Sequence, residues 1–168
     1  MERTLSRDIA TCIGAQATVR GWLHKKRLLG GMTFVNVRDR GGLVQVLIEN
    51  KDETEKLRGL QIGTVLERTG SVVAEERAPG GAEIHDPAIT VLVPVTEMPM
   101  IEIDKPIDHK PENLDTLFEY RPVGLRNLQE TAVFKIRSTI TRALRQHFYD
   151  NDFTEMNSPK LLAAATEG

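Results

Sequence analysis

Residues 19–46, VRGWLHKKRLLGGMTFVNVRDRGGLVQV, decide the fold of this chain. Apolar and polar side chains alternate over residues 19–24 and again over residues 34–38, as in a β-strand with two unlike faces. Gly30-Gly31 and Gly41-Gly42 supply turns, and LVQVLI at residues 43–48 reads as a strand. The stretch therefore predicts three successive strands.

A basic run, Lys25-Lys26-Arg27, is predicted in the loop between the first two strands. Residues 1–50 hold eight Lys/Arg against four Asp/Glu, whereas residues 51–168 hold fourteen against twenty. The net charge of −2 argues against a wholly basic nucleic-acid binder. A local basic patch beside an outward aromatic and an amide nevertheless suits single-stranded nucleic acid. An ordinary solvated face is the alternative.

Further strands and one helix complete the predicted first domain. Residues 64–75 and 89–95 read as the fourth and fifth strands, and residues 53–61 read as a helix between the third and fourth. This order is that of a five-stranded OB-fold β-barrel, although another small barrel or a sandwich remains open. Gly21 and Gly70 fit the sharp strand bends of such a barrel.

The chain changes character after residue 98. Prolines punctuate a stretch of linker composition, so residues 1–98 are predicted as the OB-fold domain and residues 99–128 as a hinge. Residues 129–149 predict a helix that ends at Asn151-Asp152, where either residue is expected in the left-handed conformation. Its apolar stripe requires a sheet or a partner chain, or it folds back onto the barrel. The stripe comprises Val133, Ile136, Ile140, Leu144 and Phe148.

Several classes of function are disfavoured by composition. No apolar run approaches a membrane span, and the N-terminal residues lack the apolar core of an export signal. The single cysteine, Cys12, is consistent with a reducing compartment. The four histidines are scattered without paired carboxylates, so no metal site is expected. We expect a cytoplasmic protein without a membrane partner.

Two stretches resemble class II aminoacyl-tRNA synthetases. Residues 21–46 resemble the anticodon-binding OB-fold of the enzymes for aspartate, asparagine and lysine. Residues 134–168, FKIRSTITRALRQHFYDNDFTEMNSPKLLAAATEG, resemble the first signature motif of their catalytic domain, so residues 129–168 are expected to begin that domain. The ending ATEG is similar to the aspartyl enzymes of the archaeal and eukaryotic type.

The resemblance implies four anticodon contacts. Phe34 is expected to stack on the middle anticodon base, a uracil, and Gln45 to read that base's edge. Arg27 is implied as a contact to anticodon bases or backbone, and Glu83 as an acceptor near the third base. Each has a structural alternative: Phe34 as a core aromatic, Gln45 as a solvated strand residue, and Glu83 as a residue of looser alignment.

Further positions follow from the same resemblance. His24 and Pro79 stand where discriminating relatives carry tryptophan and lysine, which implies an enzyme that accepts tRNA(Asp) and tRNA(Asn) alike. Pro159 matches the proline at the dimer interface of the family, and Glu167 matches a glutamate that binds the α-amino group of aspartate. Asp152 stands where the family usually has glycine.

The implied activity is ATP-dependent aspartylation of tRNA through aspartyl-adenylate, with Mg²⁺ as the metal ion and a homodimer as the assembly. The second and third signature motifs are missing from the 168 residues, so we expect no catalytic residue and no cofactor bound in this portion. Two alternatives are kept. One is the corresponding portion of an asparaginyl-tRNA synthetase, and the other is a free-standing OB-fold module that binds tRNA without catalysis.

Overall fold

The computed structural model describes residues 2–158. Packing divides the chain into two compact units, Met1–Asn127 and Leu128–Gly168. The first unit holds five strands, which are β1 Gln16–Leu29, β2 Met32–Arg38, β3 Leu43–Ile48, β4 Val65–Ala74 and β5 Ala82–Val93. Helix α1, Lys51–Arg58, lies between β3 and β4. This is the predicted element order.

The five strands form a closed ring in the order β1-β2-β3-β5-β4. Strand β1 pairs with both β2 and β4, and its Trp22 lies opposite Arg38 on one side and Val65 on the other. The β3–β5 pairing is parallel, whereas the other pairings are antiparallel. The predicted OB-fold is thereby confirmed.

Strand β1 is longer than the sequence predicted. It continues through the basic run to Leu29, so Lys25-Lys26-Arg27 lies on a strand and not in a loop. The reason is pairing: β2 extends alongside this run down to Met32, and only Gly30-Gly31 remains for the turn. Strand β5 likewise begins at Ala82, seven residues before the predicted start of the fifth strand at residue 89.

The core fills the inside of the ring with alternating strand residues. Leu57 from α1 and Ile9 from the 3₁₀ helix Ser6–Cys12 are fully buried in the same cluster. Burying these side chains supplies the main stabilisation of the barrel. The strand residues of the cluster are Ala17, Val19, Leu23, Val35, Val37, Val44, Val46, Ile48, Leu66, Val72, Ala82 and Ile84.

The two bend glycines lie at close backbone approaches, as expected. A Cβ atom on Gly70 would lie 2.4 Å from the carbonyl oxygen of His85, and the β4–β5 register shifts at this point. Gly21 has an equally close contact with β2. Only glycine permits such approaches, because any side chain would overlap the neighbouring strand.

Arg68 is an unexpected member of the barrel interior. It follows Leu66 on the inward-facing side of β4 and is fully buried. Its three guanidinium nitrogens find no hydrogen-bond partner in the part of the chain that the structure describes. Burial lowers the pKa of Arg68 to about 9, and the charge of Glu53 on α1 opposes this shift.

Residues 94–127 contain no strand but are packed. Ile101 and Ile103 are buried, and the side-chain amide of Asn127 donates to the carbonyl oxygens of Ile103 and Lys105. Two short helices, α2 Leu114–Glu119 and α3 Arg121–Gly124, lie in this segment. Packing of the first unit thus continues past residue 98 and ends at Asn127.

The described part of the second unit is helix α4, Leu128–Asp150, with the residues that follow it to 158. Asp152 has a φ of 62°, which confirms the predicted left-handed residue after the helix. The apolar stripe of α4 is exposed along its length, with Ile140 at 62%. Within residues 2–158, no helix is both long enough and apolar enough to cross a membrane.

Candidate nucleic-acid interface

Strand register brings Arg27, Phe34, Gln45 and Glu83 onto one outer face of the barrel. Arg27 lies directly opposite Phe34, and Gln45 lies directly opposite Glu83. Asn36, two residues after Phe34 and therefore on the same face, joins the two pairs because it lies opposite Gln45. All four residues predicted to contact the anticodon therefore share one surface.

A cross-strand row runs through the middle of this face. Lys25 of β1 lies opposite Asn36 of β2, which lies opposite Gln45 of β3, which lies opposite Glu83 of β5. We call these four residues the recognition row. At the usual spacing of neighbouring strands it spans about 14 Å, a length suited to more than one nucleotide base.

Phe34 lies beside the recognition row and is partly exposed. The flanking residues Thr33 and Val35 are buried, so the alternation of β2 turns the phenyl ring outward from the core. Arg27 opposite it is exposed. An outward aromatic next to an exposed cation can offer a stacking surface and a phosphate contact within one step of the sheet.

Glu83 is held by two side chains. Nε2 of Gln45 donates to one carboxylate oxygen at 2.8 Å, and Nε2 of His85 lies 2.8 Å from the other. Glu83 is only 5% exposed. A buried carboxylate requires such donors, since an unpaired one is costly. The hydrogen bond from Gln45 to Glu83 also directs the amide nitrogen of Gln45 to Glu83 and leaves the amide oxygen to accept from another group.

His24 lies at one end of the recognition row. It occupies the bulge between Leu23 and Lys25 and is 6% exposed. Burial lowers the pKa of His24 below its ordinary value, Arg38 and Lys25 lower it further, and Asp104 opposes them. The side chain is thus buried behind the outer face rather than displayed on it.

Pro79 lies towards the other end. It begins the 3₁₀ turn Pro79–Gly81 that leads into β5 and reaches Glu83 four residues later. His24 lies on β1 and Pro79 leads into β5, two strands that are not neighbours in the ring. The structure does not bring them together as a pair.

Lys26 differs from its two basic neighbours. Its Nζ donates to the carbonyl oxygens of Leu57, Arg58 and Leu60 at 2.7–2.9 Å. These carbonyls lie at the C-terminal end of α1, where a cation is favourable. Lys26 is thus a helix cap, and only Lys25 and Arg27 of the basic run lie on the outer face.

Trp22, a partly exposed aromatic residue of β1, is in contact with two cations. The guanidinium carbons of Arg38 and Arg126 lie 5.0 Å and 5.9 Å from its ring. Burial lowers the pKa of Arg38, and the nearby charge of Arg126 lowers it further. Trp22 therefore ties residue 126 to the barrel, and Phe34 is the aromatic that lies among the predicted contact residues.

Sequence reasoning missed Asn36 and His85. Asn36 was recoverable, because it shares the parity of Phe34 on β2. His85 was recoverable in the same way, because it lies two residues after Glu83 on β5, and only the contact of Glu83 with Gln45 depends on the nonlocal pairing of β5 with β3. Pro159 and Glu167 lie outside the described residues. Among residues 2–158, no group of three or more His, Cys, Asp and Glu side chains could hold a metal ion.

Two family models match the chain. Residues 17–92 match the OB-fold nucleic acid binding domain, and residues 113–168 match the tRNA synthetases of class II (D, K and N). An aspartate–tRNA(Asp/Asn) ligase of Methanocorpusculum labreanum is 40% identical over 96% of this chain. One of Thermus thermophilus is 36% identical over 99% of this chain.

A solved structure shares the same architecture. The asparaginyl-tRNA synthetase of Pyrococcus horikoshii, complexed with asparaginyl-adenylate, aligns with all of this chain at a TM-score of 0.82 and 28% identity. The chain spans 38% of the Methanocorpusculum relative, 37% of the Thermus relative and 39% of the Pyrococcus chain. It thus corresponds to the N-terminal portion of these proteins.

Proposed function

The chain belongs to the class II tRNA synthetases of the D, K and N group as an N-terminal portion, and we propose that its barrel recognises the anticodon of tRNA. One observation carries this proposal: Arg27, Phe34, Gln45 and Glu83 share one outer face. The face combines a cation, an aromatic ring, an amide and a carboxylate. The cation attracts the RNA backbone, the aromatic ring stacks on a base, and the amide and the carboxylate read base edges.

Each side chain has a role in the proposal. Phe34 stacks on the middle base, which contributes about 1–3 kcal/mol whatever the base. The Gln45 amide oxygen accepts from the N3–H of uracil, which cytosine lacks. Glu83 accepts from the amino group of a cytosine at the third position. Arg27 contacts the backbone or a base edge from the adjacent strand.

We propose that the protein accepts both tRNA(Asp) and tRNA(Asn). Their anticodons differ only at the third base, so rejection of one requires a repulsive or missing contact there. His24 is buried and Pro79 carries no side-chain donor, so neither offers a charged contact to the third base. The relatives described above carry the name aspartate–tRNA(Asp/Asn) ligase, which supports the same proposal.

For the whole protein we propose ATP-dependent attachment of aspartate to tRNA in the cytoplasm, by a homodimer. The exposed stripe of α4 supports dimerisation, because an apolar face of this length requires a cover. Pro159 at that interface and Glu167 in the aspartate pocket remain proposals from the family resemblance. ATP and Mg²⁺ serve the reaction, but the described residues offer no metal-binding group, and we assign no catalytic step to them.

An asparaginyl-tRNA synthetase is the second candidate. The Pyrococcus horikoshii structure favours it, because the barrel and α4 have the same fold there. The anticodon face serves either enzyme, since the middle base is uracil in both tRNAs. Expression of the complete gene, and an assay with each amino acid, separates the two. Charging with asparagine and not with aspartate would replace the first candidate by the second.

Binding by the 168-residue chain tests the anticodon proposal. We expect it to bind stem-loops whose anticodon has uracil in the middle and either cytosine or uracil third, with affinities within tenfold of each other. Replacement of the middle uracil by cytosine should weaken binding by about tenfold or more. Phe34→Leu should weaken binding, and Phe118→Leu, at an exposed position on α2, is its matched control. Equal binding of a stem-loop with an unrelated anticodon contradicts the proposal.

A further inference from the structure

We propose that His85 is a positioning residue that couples the reading of the middle and third anticodon bases. It acts through Glu83, and Glu83 acts on Gln45. The inference rests on the proposed anticodon function of this face. It adds a specificity-determining residue to that function and predicts that the two base positions are not read independently.

The geometry links three side chains in sequence. His85 contacts Oε1 of Glu83 at 2.8 Å, and Gln45 contacts Oε2 of the same carboxylate at 2.8 Å. The parallel β3–β5 pairing fixes their positions, because Gln45 lies opposite Glu83, and Leu47 lies opposite His85. Each carboxylate oxygen of Glu83 therefore has a hydrogen-bond partner, and these two neighbours fix the plane of the carboxylate.

Burial of Glu83 determines which groups donate to its carboxylate. Glu83 is 5% exposed, whereas the His85 side chain is 30% exposed. A carboxylate away from water accepts hydrogen bonds and donates none, so His85 Nε2 and Gln45 Nε2 are the donors. Without His85, one carboxylate oxygen is left without a partner. Glu83 then gains by rotating toward another donor, such as the amino group of a base, and away from Gln45.

The orientation of the Gln45 amide depends on how Glu83 is held by these two hydrogen bonds. An amide presents a donor on one side and an acceptor on the other, and the two nearly superimpose when the amide flips. With its nitrogen held by Glu83, Gln45 shows its oxygen to the middle base and so prefers the N3–H of uracil. If Glu83 rotates, the amide is free to flip and to present its nitrogen, which the N3 acceptor of cytosine accepts equally well. His85 therefore influences a base that it does not touch.

Selectivity at the middle position is the deciding measurement. We compare binding to stem-loops with uracil or cytosine in the middle position of the anticodon. The proteins compared are the unaltered 168-residue chain, His85→Ala, His85→Gln and the control Thr90→Ala. Thr90 is an exposed residue on the same strand. We expect His85→Ala to lower the preference for uracil by about tenfold, the effect of one hydrogen bond to a charged group. His85→Gln, which retains a donor that reaches Glu83, restores the preference, and Thr90→Ala leaves it unchanged.

The outcomes separate this inference from the proposed function. If the unaltered chain prefers uracil and His85→Ala keeps that preference, the inference is overturned and the anticodon function stands. If the unaltered chain shows no anticodon preference, both are overturned. A purely structural role for His85 would lower the melting temperature without changing the ratio of affinities.

If His85→Ala fails to fold, the inference is tested by comparing the uracil preference of His85→Gln with that of the shorter His85→Asn. Equal preference for uracil in those two variants contradicts the inference. Loss of the preference in His85→Asn alone supports it, because only glutamine has the reach to Glu83.

Discussion

A Cβ atom on Gly21 would lie 2.3 Å from the carbonyl oxygen of Arg38. Gly21 pairs with Leu66 of β4, and the next residue, Trp22, pairs with both β4 and β2. Strand β1 therefore passes from one neighbour to the other at this glycine. The close approach is the point at which β1 joins the two sides of the ring.

Gly21→Ala should destabilise the barrel by about 3 kcal/mol, because β1 must move away from a backbone atom that cannot yield. Urea denaturation measures the free energy of unfolding. Gly31→Ala is the matched control, since a Cβ there meets nothing within 4 Å, and we expect a change within about 0.5 kcal/mol. Equal effects of the two substitutions would show that the approach at Gly21 is relaxed in solution.

Lys26→Met should lower stability by about 1–3 kcal/mol, since three carbonyl oxygens at the end of α1 lose their donor. The neighbouring Lys25→Met removes the same charge from an exposed side chain and should change stability by less than about 0.5 kcal/mol. Thermal melting of both variants provides the comparison. Identical melting temperatures would rule out a capping role for Lys26.

His24 should make the barrel less stable in mild acid. Its pKa is lowered in the folded state by burial, Arg38 and Lys25. As the pH falls below the ordinary value of 6.5, the unfolded chain binds a proton that the folded chain refuses, so stability decreases until the lowered folded pKa is reached. His24→Gln should flatten this part of the stability–pH curve, whereas exposed His147→Gln should leave it unchanged. An unaltered slope in His24→Gln contradicts the assignment.

Arg68→Met should stabilise the protein by about 1–3 kcal/mol. It replaces a buried guanidinium, without hydrogen-bond partners among the described residues, by an apolar side chain of similar length. Arg68→Ala should be less stable than Arg68→Met, because it leaves a cavity. Chemical denaturation distinguishes the three proteins. Marked destabilisation by methionine would mean that Arg68 is paired in solution, with Glu53 as the nearest candidate.

Arg27→Ala should weaken RNA binding uniformly across anticodon sequences and reduce the salt dependence by about one charge. Arg27 lies opposite Phe34 and is exposed, so we expect it to contact the backbone of a nucleotide whose base stacks on that ring. Phe34→Leu should weaken binding by a similar factor without changing the salt slope. Binding at several salt concentrations measures both. A sequence-dependent loss in Arg27→Ala would assign it to a base instead.

Local patterns predicted most of the outer face. Alternation along β2 and β3 placed Phe34 and Gln45 away from the core, and turn glycines set the strand ends. The basic run was interpreted as a loop because three consecutive charged residues before a glycine turn are typical of a loop. Pairing with β2 instead extends β1 through the run. Once that run is a strand, alternation directs Lys26 to the other side from Arg27.

Nonlocal pairings explain what the sequence could not predict. Alternation along β5 places Glu83 and His85 on one face, but the hydrogen bond of Glu83 to Gln45 requires the β3–β5 register. Arg68 has the parity of a core position, between Leu66 and Val72, but its charge argues against that position. Packing of residues 101 and 103 was missed because the prolines nearby are typical of a linker.

The parallel β3–β5 pairing has a kinetic consequence. Gln45 and Glu83 are 38 residues apart, whereas β1, β2 and β3 are joined by short turns, so their pairing costs less entropy and we expect it to form earlier. A partly folded chain would then display Phe34 on its first hairpin before Gln45 and Glu83 meet. Under the proposed anticodon function, we expect base discrimination to be acquired later in folding than nonspecific affinity for RNA.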